Sequence, residues 1–147
     1  MKVHRCSIDA CHSTTHDRSP LTSLQVLEQA GYEIAAAVEY DPIHAAVHEY
    51  NFPYGQTFAR DVTGITGAEI RSDSGIGKRE IALVAGGPPC QGISLIGRRA
   101  LDDPRNALLK EYVRLVLELQ PRHFLMENVA GLTIGKHRQL LTEVIDL

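Results

Sequence analysis

The sequence lacks the features that mark disulfide-stabilised, secreted or membrane-spanning proteins. Its cysteines, Cys6, Cys11 and Cys90, are odd in number, so a disulfide framework is not expected. No apolar run approaches the roughly 20 residues that a membrane-spanning helix requires. Residues 1–7 contain no apolar core of the kind found in a secretory signal. These absences predict a soluble intracellular protein with no membrane partner.

Basic residues are also scarce for a protein that binds nucleic acid. The chain has 15 Lys and Arg against 18 Asp and Glu, a formal net charge of −3, and no long basic block. Phosphate binding draws on Lys and Arg. A nucleic-acid surface would therefore be a local one, around Arg98, Arg99 and Arg105, or would lie largely outside this chain. We favour the second interpretation.

What is present favours one α/β domain. The 147 residues, 44% of them hydrophobic, are enough for a globular core. Short apolar runs alternate with segments of helical periodicity, a pattern typical of a parallel sheet with helices between its strands. Strands are predicted over 33–38, 57–59, 81–85 and 123–126, the last two as buried strands. Helices are predicted over 20–30, 42–50 and 105–119 and before residue 147, with loops over 71–79 and 86–103.

Candidate functional residues lie shortly after the carboxyl ends of the predicted strands. Glu39, Asp61, Cys90 and Glu127 each come just after a strand. In a sheet of this kind, ligands bind beyond the carboxyl ends of the strands. Acidic residues after strands are commonly helix caps, and this is our interpretation of Asp41. Four such groups at one edge of a sheet indicate a functional site instead.

Two short stretches carry the chemistry. Residues 86–94 read Gly-Gly-Pro-Pro-Cys-Gln-Gly-Ile-Ser. Its glycines permit close approach to a ligand, and its prolines stiffen the segment that presents the thiol of Cys90. A lone cysteine is more often a small buried hydrophobe, but this one lies in a polar loop. Residues 125–129, Leu-Met-Glu-Asn-Val, place Glu127 at the end of a buried strand, where a carboxylate is costly unless it has a partner or a chemical role.

These stretches resemble, in order, motifs of the C5-cytosine DNA methyltransferase family. The resemblance extends to residues 27–32 and 39–42, to Asp61-Val62, and to 103–106 and 119–121, and it covers roughly residues 24–147. It implies an α/β fold: a Rossmann-like sheet with helices on both faces, as in methyltransferases that depend on S-adenosylmethionine, here incomplete.

The resemblance also implies roles for individual residues. Cys90 would add to C6 of a flipped-out cytosine, while Glu127 engages N3 and the exocyclic amine. The methyl group would come from S-adenosyl-L-methionine, with Glu39 holding its ribose hydroxyls and Asp61 its adenine amine. Tyr40 and Val62 would pack against the adenine. Gln91 and Ser94 would contact the flipped nucleotide or its phosphate.

The partners implied in the same way are double-stranded DNA and, as a genetic partner, a restriction endonuclease. Such a protein would be bacterial or phage-encoded and would act in the cytoplasm, at the nucleoid.

Two parts of the family pattern are not found. The family begins with a strand that leads into a glycine-rich turn around the cofactor, whereas no glycine precedes Gly31 here. We interpret residues 1–23 as divergent and hypothesise a shifted reading frame. The family also continues into a target-recognition domain, which we do not find. Residues 1–147 are thus expected to be a partial catalytic domain that acts as a fragment of the enzyme. The alternative is a catalytically inactive remnant of such an enzyme.

Other sites were considered and set aside. A metal site is not expected at Cys6, Cys11, His12 and His16, because the spacing of these residues fits no usual zinc pattern. His44 and His48 are one helical turn apart but lack a third ligand and are interpreted as surface histidines. Residues 75–78, Gly-Ile-Gly-Lys, lack the full phosphate-loop spacing and are predicted to form a surface turn.

Overall fold

The computed structural model describes residues 5–11, 21–88, 107–127, 142 and 145. In these residues strands and helices alternate along the chain. The elements are β1 (Arg5–Cys11), α1 (Leu21–Gln29), β2 (Tyr32–Glu39), α2 (Pro42–Asn51), β3 (Gln56–Ala59), a 3-10 helix (Val62–Gly64), α3 (Gly67–Asp73), β4 (Ile81–Gly86), α4 (Ala107–Leu119) and β5 (His123–Met126). None of the helices described is long and apolar enough to cross a membrane.

The five strands form one parallel sheet in the order β3-β2-β1-β4-β5. The order of the strands reverses at β1, as in doubly wound folds. The sequence analysis did not predict β1, because its residues, Arg-Cys-Ser-Ile-Asp-Ala-Cys, contain no continuous apolar run. Its place between β2 and β4 makes it the central strand of the described sheet.

Apolar residues form two clusters that join the helices to the sheet. The smaller one contains Leu24 from α1, Ile34 from β2 and Phe52 at the end of α2. The larger one joins residues of β2 and β4 to residues of α3 and α4. The predicted α/β fold, a Rossmann-like sheet with helices on both faces, is confirmed. The predicted helix over 42–50 and strands over 33–38, 57–59, 81–85 and 123–126 are confirmed to within one or two residues.

The prediction that strand 123–126 is buried is wrong. Phe124 and Leu125 are 47% and 48% exposed. Within the described residues, β5 pairs with β4 alone and forms one edge of the sheet. The apolar run at 123–126 therefore belongs to an edge strand of the described sheet and not to a strand that is buried on both faces.

The prediction of an exposed loop over 71–79 is partly wrong. Residues 71–73 form the last turn of α3, and Ile76 is buried in the larger cluster. The helix begins with a capping box, in which the Thr66 hydroxyl accepts from the Glu69 N–H at 3.2 Å and the Glu69 carboxylate accepts from the Thr66 N–H at 2.9 Å. This cap was the sequence signal for the helix.

His48 is a core residue, so its interpretation as a surface histidine is wrong. It is 8% exposed, and its ring lies 4.9 Å from that of Phe52, measured between centroids. Its Nδ1 is 3.1 Å from the Thr57 hydroxyl, whereas its buried Nε2 has no hydrogen-bond partner among the described residues. His44 is exposed, as predicted.

The burial of His48 should make stability depend on pH. Desolvation lowers the pKa of His48, because burial disfavours the charged ring. The unfolded chain therefore binds the proton more readily. The free energy of unfolding should fall as the pH drops below about 6.5, the ordinary histidine value, and level off below the folded-state pKa.

Urea unfolding of the wild type, His48→Gln and His44→Gln between about pH 5 and pH 8 measures this effect. His48→Gln should flatten the dependence on pH, and the exposed control His44→Gln should keep it. The same pH profile in His48→Gln as in the wild type would contradict the assignment.

Candidate active site

The carboxyl ends of the parallel strands meet at one edge of the sheet, and three of the four predicted strand-end residues are described there. Glu39 is the last residue of β2, and Asp61 follows β3 by two positions. Glu39 is paired in register with Ala59, so these two acidic residues come from neighbouring strand ends. Glu127 directly follows β5, on the other side of β1.

Glu39 is a buried carboxylate at the end of β2. It is 4% exposed, and its Oε1 accepts a hydrogen bond from the Asp41 N–H at 2.9 Å. This bond orients the carboxylate and offsets part of the cost of burying it. The neighbouring Tyr40 is 57% exposed. A carboxylate oriented at a strand end suits ligand hydroxyl groups, and an exposed aromatic ring suits a flat apolar ligand.

Asp61 is exposed and caps the 3-10 helix that follows it. Its Oδ1 accepts from both the N–H and the hydroxyl of Thr63, each at 2.8 Å. Val62 is 9% exposed and belongs to the larger apolar cluster. The structure thus places the two residues differently, with Asp61 toward solvent at the edge of the sheet and Val62 in the core.

Asp41 caps α2, as predicted. Its Oδ1 accepts from the Ile43 N–H at 2.8 Å and from the His44 N–H at 3.2 Å. These two bonds, chiefly the first, lower the pKa of Asp41. The side chain of Asp41 is therefore engaged in starting the helix, and this distinguishes it from Glu39 two residues before it.

Glu127 lies beside the start of the segment that leads to Cys90. Its N–H donates to the carbonyl of Gly86 at 2.8 Å. A methyl group placed on Gly87 would lie 3.9 Å from the Glu127 Cβ. The main chain after β4 and the main chain after β5 are therefore adjacent at these two residues. The side chain of Glu127 is exposed. The predicted site residues Cys90, Gln91 and Ser94 lie outside the described residues.

Tyr112 on α4 contributes a polar contact that the sequence analysis did not predict. Tyr112 is a core residue and is 2% exposed. Its hydroxyl is 3.0 Å from the Leu125 carbonyl and 3.3 Å from that of Val84. It therefore joins the ends of β4 and β5 two residues before Gly86 and Glu127. A tyrosine at a core position was the available signal, because a buried hydroxyl normally has a partner.

The glycine-containing turn at 75–78 lies at the surface, as predicted, except that Ile76 is buried. Its glycines, Gly75 and Gly77, have φ angles of 69° and 55°. Two carbonyls, those of Gly77 and Arg79, accept from the guanidinium of Arg71, each at 3.0 Å. A phosphate loop presents N–H groups to its ligand, whereas this turn directs carbonyls to a cation.

No group of three potential metal-binding side chains comes together in the part of the chain that the structure describes. The cysteine and histidine residues considered above include positions that lie outside it.

Comparisons with known proteins agree on one family. The family model described as C-5 cytosine-specific DNA methylase matches residues 24–147. The type II methyltransferase M.XorII of Xanthomonas oryzae pv. oryzae is 59% identical over 119 residues, which are 81% of this chain and 28% of that protein. The type II methyltransferase M1.HphI of Haemophilus parahaemolyticus is 41% identical over 122 residues, 79% of this chain and 32% of that protein.

Solved structures show the same likeness. A prophage-encoded protein of E. coli, described as a DNA modification methyltransferase, is 31% identical with a TM-score of 0.73, covering 97% of this chain and 37% of that one. A mutant of Spodoptera frugiperda DNMT2 has a TM-score of 0.62 at 23% identity, covering 97% of this chain and 40% of that one, which is a likeness of fold. This chain thus spans about a third of the length of the proteins that it matches.

Removing the Tyr112 hydroxyl should loosen the junction of β4 and β5. Tyr112→Phe should lower the free energy of unfolding by about 1 kcal/mol, because the buried carbonyls lose a donor. Tyr54→Phe is the matched control, since Tyr54 is 97% exposed. Urea unfolding measures both variants, and equal stability of the two would contradict a role for the Tyr112 hydroxyl.

Proposed function

Because the chain belongs to the C-5 cytosine-specific DNA methylase family, we propose that it is the catalytic portion of a DNA (cytosine-5-)-methyltransferase. The reaction is transfer of a methyl group from S-adenosyl-L-methionine to C5 of cytosine in double-stranded DNA. The observation that supports this most directly is the bond from the Glu127 N–H to the Gly86 carbonyl, 2.8 Å long. It brings Glu127 beside the segment that leads to Cys90.

The nucleophile in this proposal is the thiolate of Cys90. Cytosine C5 is a poor nucleophile because the ring is aromatic. Addition of the thiolate to C6 forms a C–S bond, ends the aromaticity and leaves an enamine. C5 of this enamine would form the bond to the methyl group while the bond between that group and the donor sulfur breaks, and its electron pair would stay on the donor sulfur. Loss of the C5 proton to a base then returns its electron pair to the C5–C6 bond. The C–S bond breaks and the thiolate leaves.

Glu127 acts on the opposite side of the base. As the thiolate adds to C6, negative charge develops toward N3. A Glu127 carboxyl that shares a hydrogen bond with N3, while its other oxygen accepts from the exocyclic amine, would stabilise that charge. The exposure of Glu127 leaves its carboxyl accessible to a base that enters from solvent.

The target cytosine must leave the duplex to reach these groups. A paired and stacked base hides C6, and flipping it out costs a few kcal/mol. Gln91 and Ser94, close to Cys90 in sequence, are proposed to contact the flipped nucleotide or its phosphate.

The cofactor site is proposed at the ends of β2 and β3. S-Adenosyl-L-methionine supplies the methyl group when bound. The Glu39 carboxylate would accept from its ribose hydroxyls and Asp61 from its adenine amine. The adenine would pack against Tyr40 and Val62. The pairing of Glu39 with Ala59 supports this proposal, because it brings the two acidic residues to adjacent strand ends.

Partners follow from the same proposal. The relatives are named type II methyltransferases, so we propose a restriction endonuclease as the genetic partner. Recognition of the DNA sequence is proposed for parts of the protein beyond this chain, and action in the cytoplasm follows from its DNA substrate.

Covalent trapping tests the nucleophile. The chain would be incubated with S-adenosylmethionine and duplex DNA of random sequence that contains 5-fluorocytosine. Fluorine at C5 cannot leave as the proton does, so the C–S bond should persist as a denaturation-resistant adduct. The adduct should form with the wild type and Cys6→Ser and be lost in Cys90→Ser.

An adduct that survives in Cys90→Ser would show that the nucleophile is assigned to the wrong residue. Absence of an adduct with the wild type would contradict the proposed activity of this chain and favour a catalytically inactive protein.

Neutralising Glu39 tests the cofactor site. Glu39→Gln keeps an oxygen for the Asp41 N–H but loses the charge that strengthens bonds to ribose hydroxyls. The dissociation constant for S-adenosylmethionine, measured by calorimetry, should rise about tenfold. Asp41→Asn is the matched control, because asparagine also caps helices, and its affinity should stay near that of the wild type. Equal affinities of the two variants would contradict the proposed role of Glu39.

A further inference from the structure

Arg114 on α4 forms hydrogen bonds to the segment that follows β3, residues 61–67. Its Nη2 donates to the carbonyl of Val62 at 2.9 Å and to that of Ile65 at 3.0 Å. These carbonyls lie about 50 positions earlier in the sequence, one and four positions after Asp61. Both bonds are partly buried, so water competes less well for the two carbonyls than at a fully exposed site.

Two carboxylates hold the guanidinium of Arg114 from its own helix. Its Nε donates to Glu111 at 2.7 Å, and its Nη1 donates to Glu118 at 2.9 Å. The second carboxylate reaches the same segment, because the Glu118 Oε2 accepts from the Gly67 N–H at 2.6 Å. Gly67 fits closely there, since a Cβ on it would lie 2.8 Å from that of Glu118. The two carboxylates thus orient the guanidinium of Arg114 toward the two carbonyls.

The bonds inside the segment shape it but do not attach it to α4. The Asp61 carboxylate accepts from Thr63, and the Asp61 carbonyl accepts from the Gly64 N–H at 3.0 Å. Val62 and Ile65 anchor the segment through buried side chains. Apolar contacts resist separation but specify orientation weakly, whereas paired hydrogen bonds to a rigid guanidinium fix the direction of the main chain.

We propose that Arg114 is a positioning residue for the cofactor. By holding the carbonyls of Val62 and Ile65, it fixes the segment that presents Asp61 and so sets the affinity for the adenine end of S-adenosylmethionine. This inference depends on the proposed function, in which Asp61 binds the adenine amine. Arg114 itself makes no contact with the reacting atoms.

Three variants separate this role from a simple ion pair. Arg114→Lys keeps the charge, but a single ammonium group cannot satisfy two carbonyls and two carboxylates together. Glu111→Gln leaves every contact of the segment in place and removes only one carboxylate behind the guanidinium. Arg122→Lys is the matched control, because Arg122 pairs with Glu80 at the amino end of β5, away from the site.

The first measurement is hydrogen exchange of the chain without cofactor. In Arg114→Lys, the amides of Thr63, Gly64 and Gly67 should exchange about tenfold faster than in the wild type, because local opening becomes easier. The His44 amide, which is capped by Asp41 in the same manner, should not change. Glu111→Gln should shift the same amides in the same direction by a smaller factor.

The second measurement is affinity for S-adenosylmethionine in a double-mutant cycle. Arg114→Lys should raise the dissociation constant about tenfold, the effect of losing a hydrogen bond to a charged group. Asp61→Asn retains the oxygen that caps Thr63 but loses the charge. In that background Arg114→Lys should cost less than about threefold, because residues acting through one another are not additive.

The outcomes are distinct. Unchanged exchange and affinity in Arg114→Lys, relative to Arg122→Lys, would overturn the inference, as would fully additive losses in the cycle. If Arg114→Lys does not fold, unchanged exchange in Glu111→Gln would overturn it. A wild type that takes up no S-adenosylmethionine would count against the proposed function, while the exchange rates would still decide whether Arg114 holds the segment.

Discussion

The parallel pairing of β1 with both β2 and β4 is the constraint on which the other features of this fold depend. Because all five strands run in one direction, their carboxyl ends meet at the same edge. The order of strands reverses at β1, the position beside which doubly wound folds bind their ligands. On one side the strand ends present Glu39 and Asp61. On the other, the N–H of Glu127 meets the carbonyl of Gly86 at 2.8 Å. Strand β1 lies between the two sets of groups and so places both at one edge of the same sheet.

Helix α4 connects the two sides of this edge. Its apolar residues pack in the larger cluster, but its polar contacts go to specific backbone groups. The Tyr112 hydroxyl reaches the carbonyls of Val84 and Leu125 near the ends of β4 and β5, while Arg114 two residues later reaches those of Val62 and Ile65 after β3. Movement of this helix would therefore disturb the nucleophile side and the cofactor side of the proposed site together.

Local signals account for what the sequence predicted. Strand β4 was found from its continuous apolar run, and α2 from Asp41 followed by Pro42. Features that depend on distant residues were missed. Strand β1 alternates polar residues with Cys6, Ile8 and Ala10 and has no continuous apolar run. Its place in the sheet comes from pairing with strands more than 20 positions away. His48 resembles a surface histidine in sequence, and only contact with Thr57 and Phe52 reveals that it is buried. The proposed site residues were predicted from motifs, whereas the contacts of Arg114 required knowledge of which carbonyls lie beside α4.

The use of arginine also bears on how this protein would meet DNA. Each arginine whose side chain is described bonds to its own chain: Arg60 to the Gly64 carbonyl, Arg71 to three carbonyls, Arg79 to Glu33, Arg114 to the segment after β3, and Arg122 to Glu80. A guanidinium engaged in this way has fewer donors for phosphate groups. The chain as a whole carries a formal net charge of −3. Under the proposed function, phosphate contacts therefore fall to residues outside the described ranges, such as Arg98, Arg99 and Arg105, or to the larger protein. The described arginines hold parts of the fold together, and under the proposed function other residues bring the protein to its substrate.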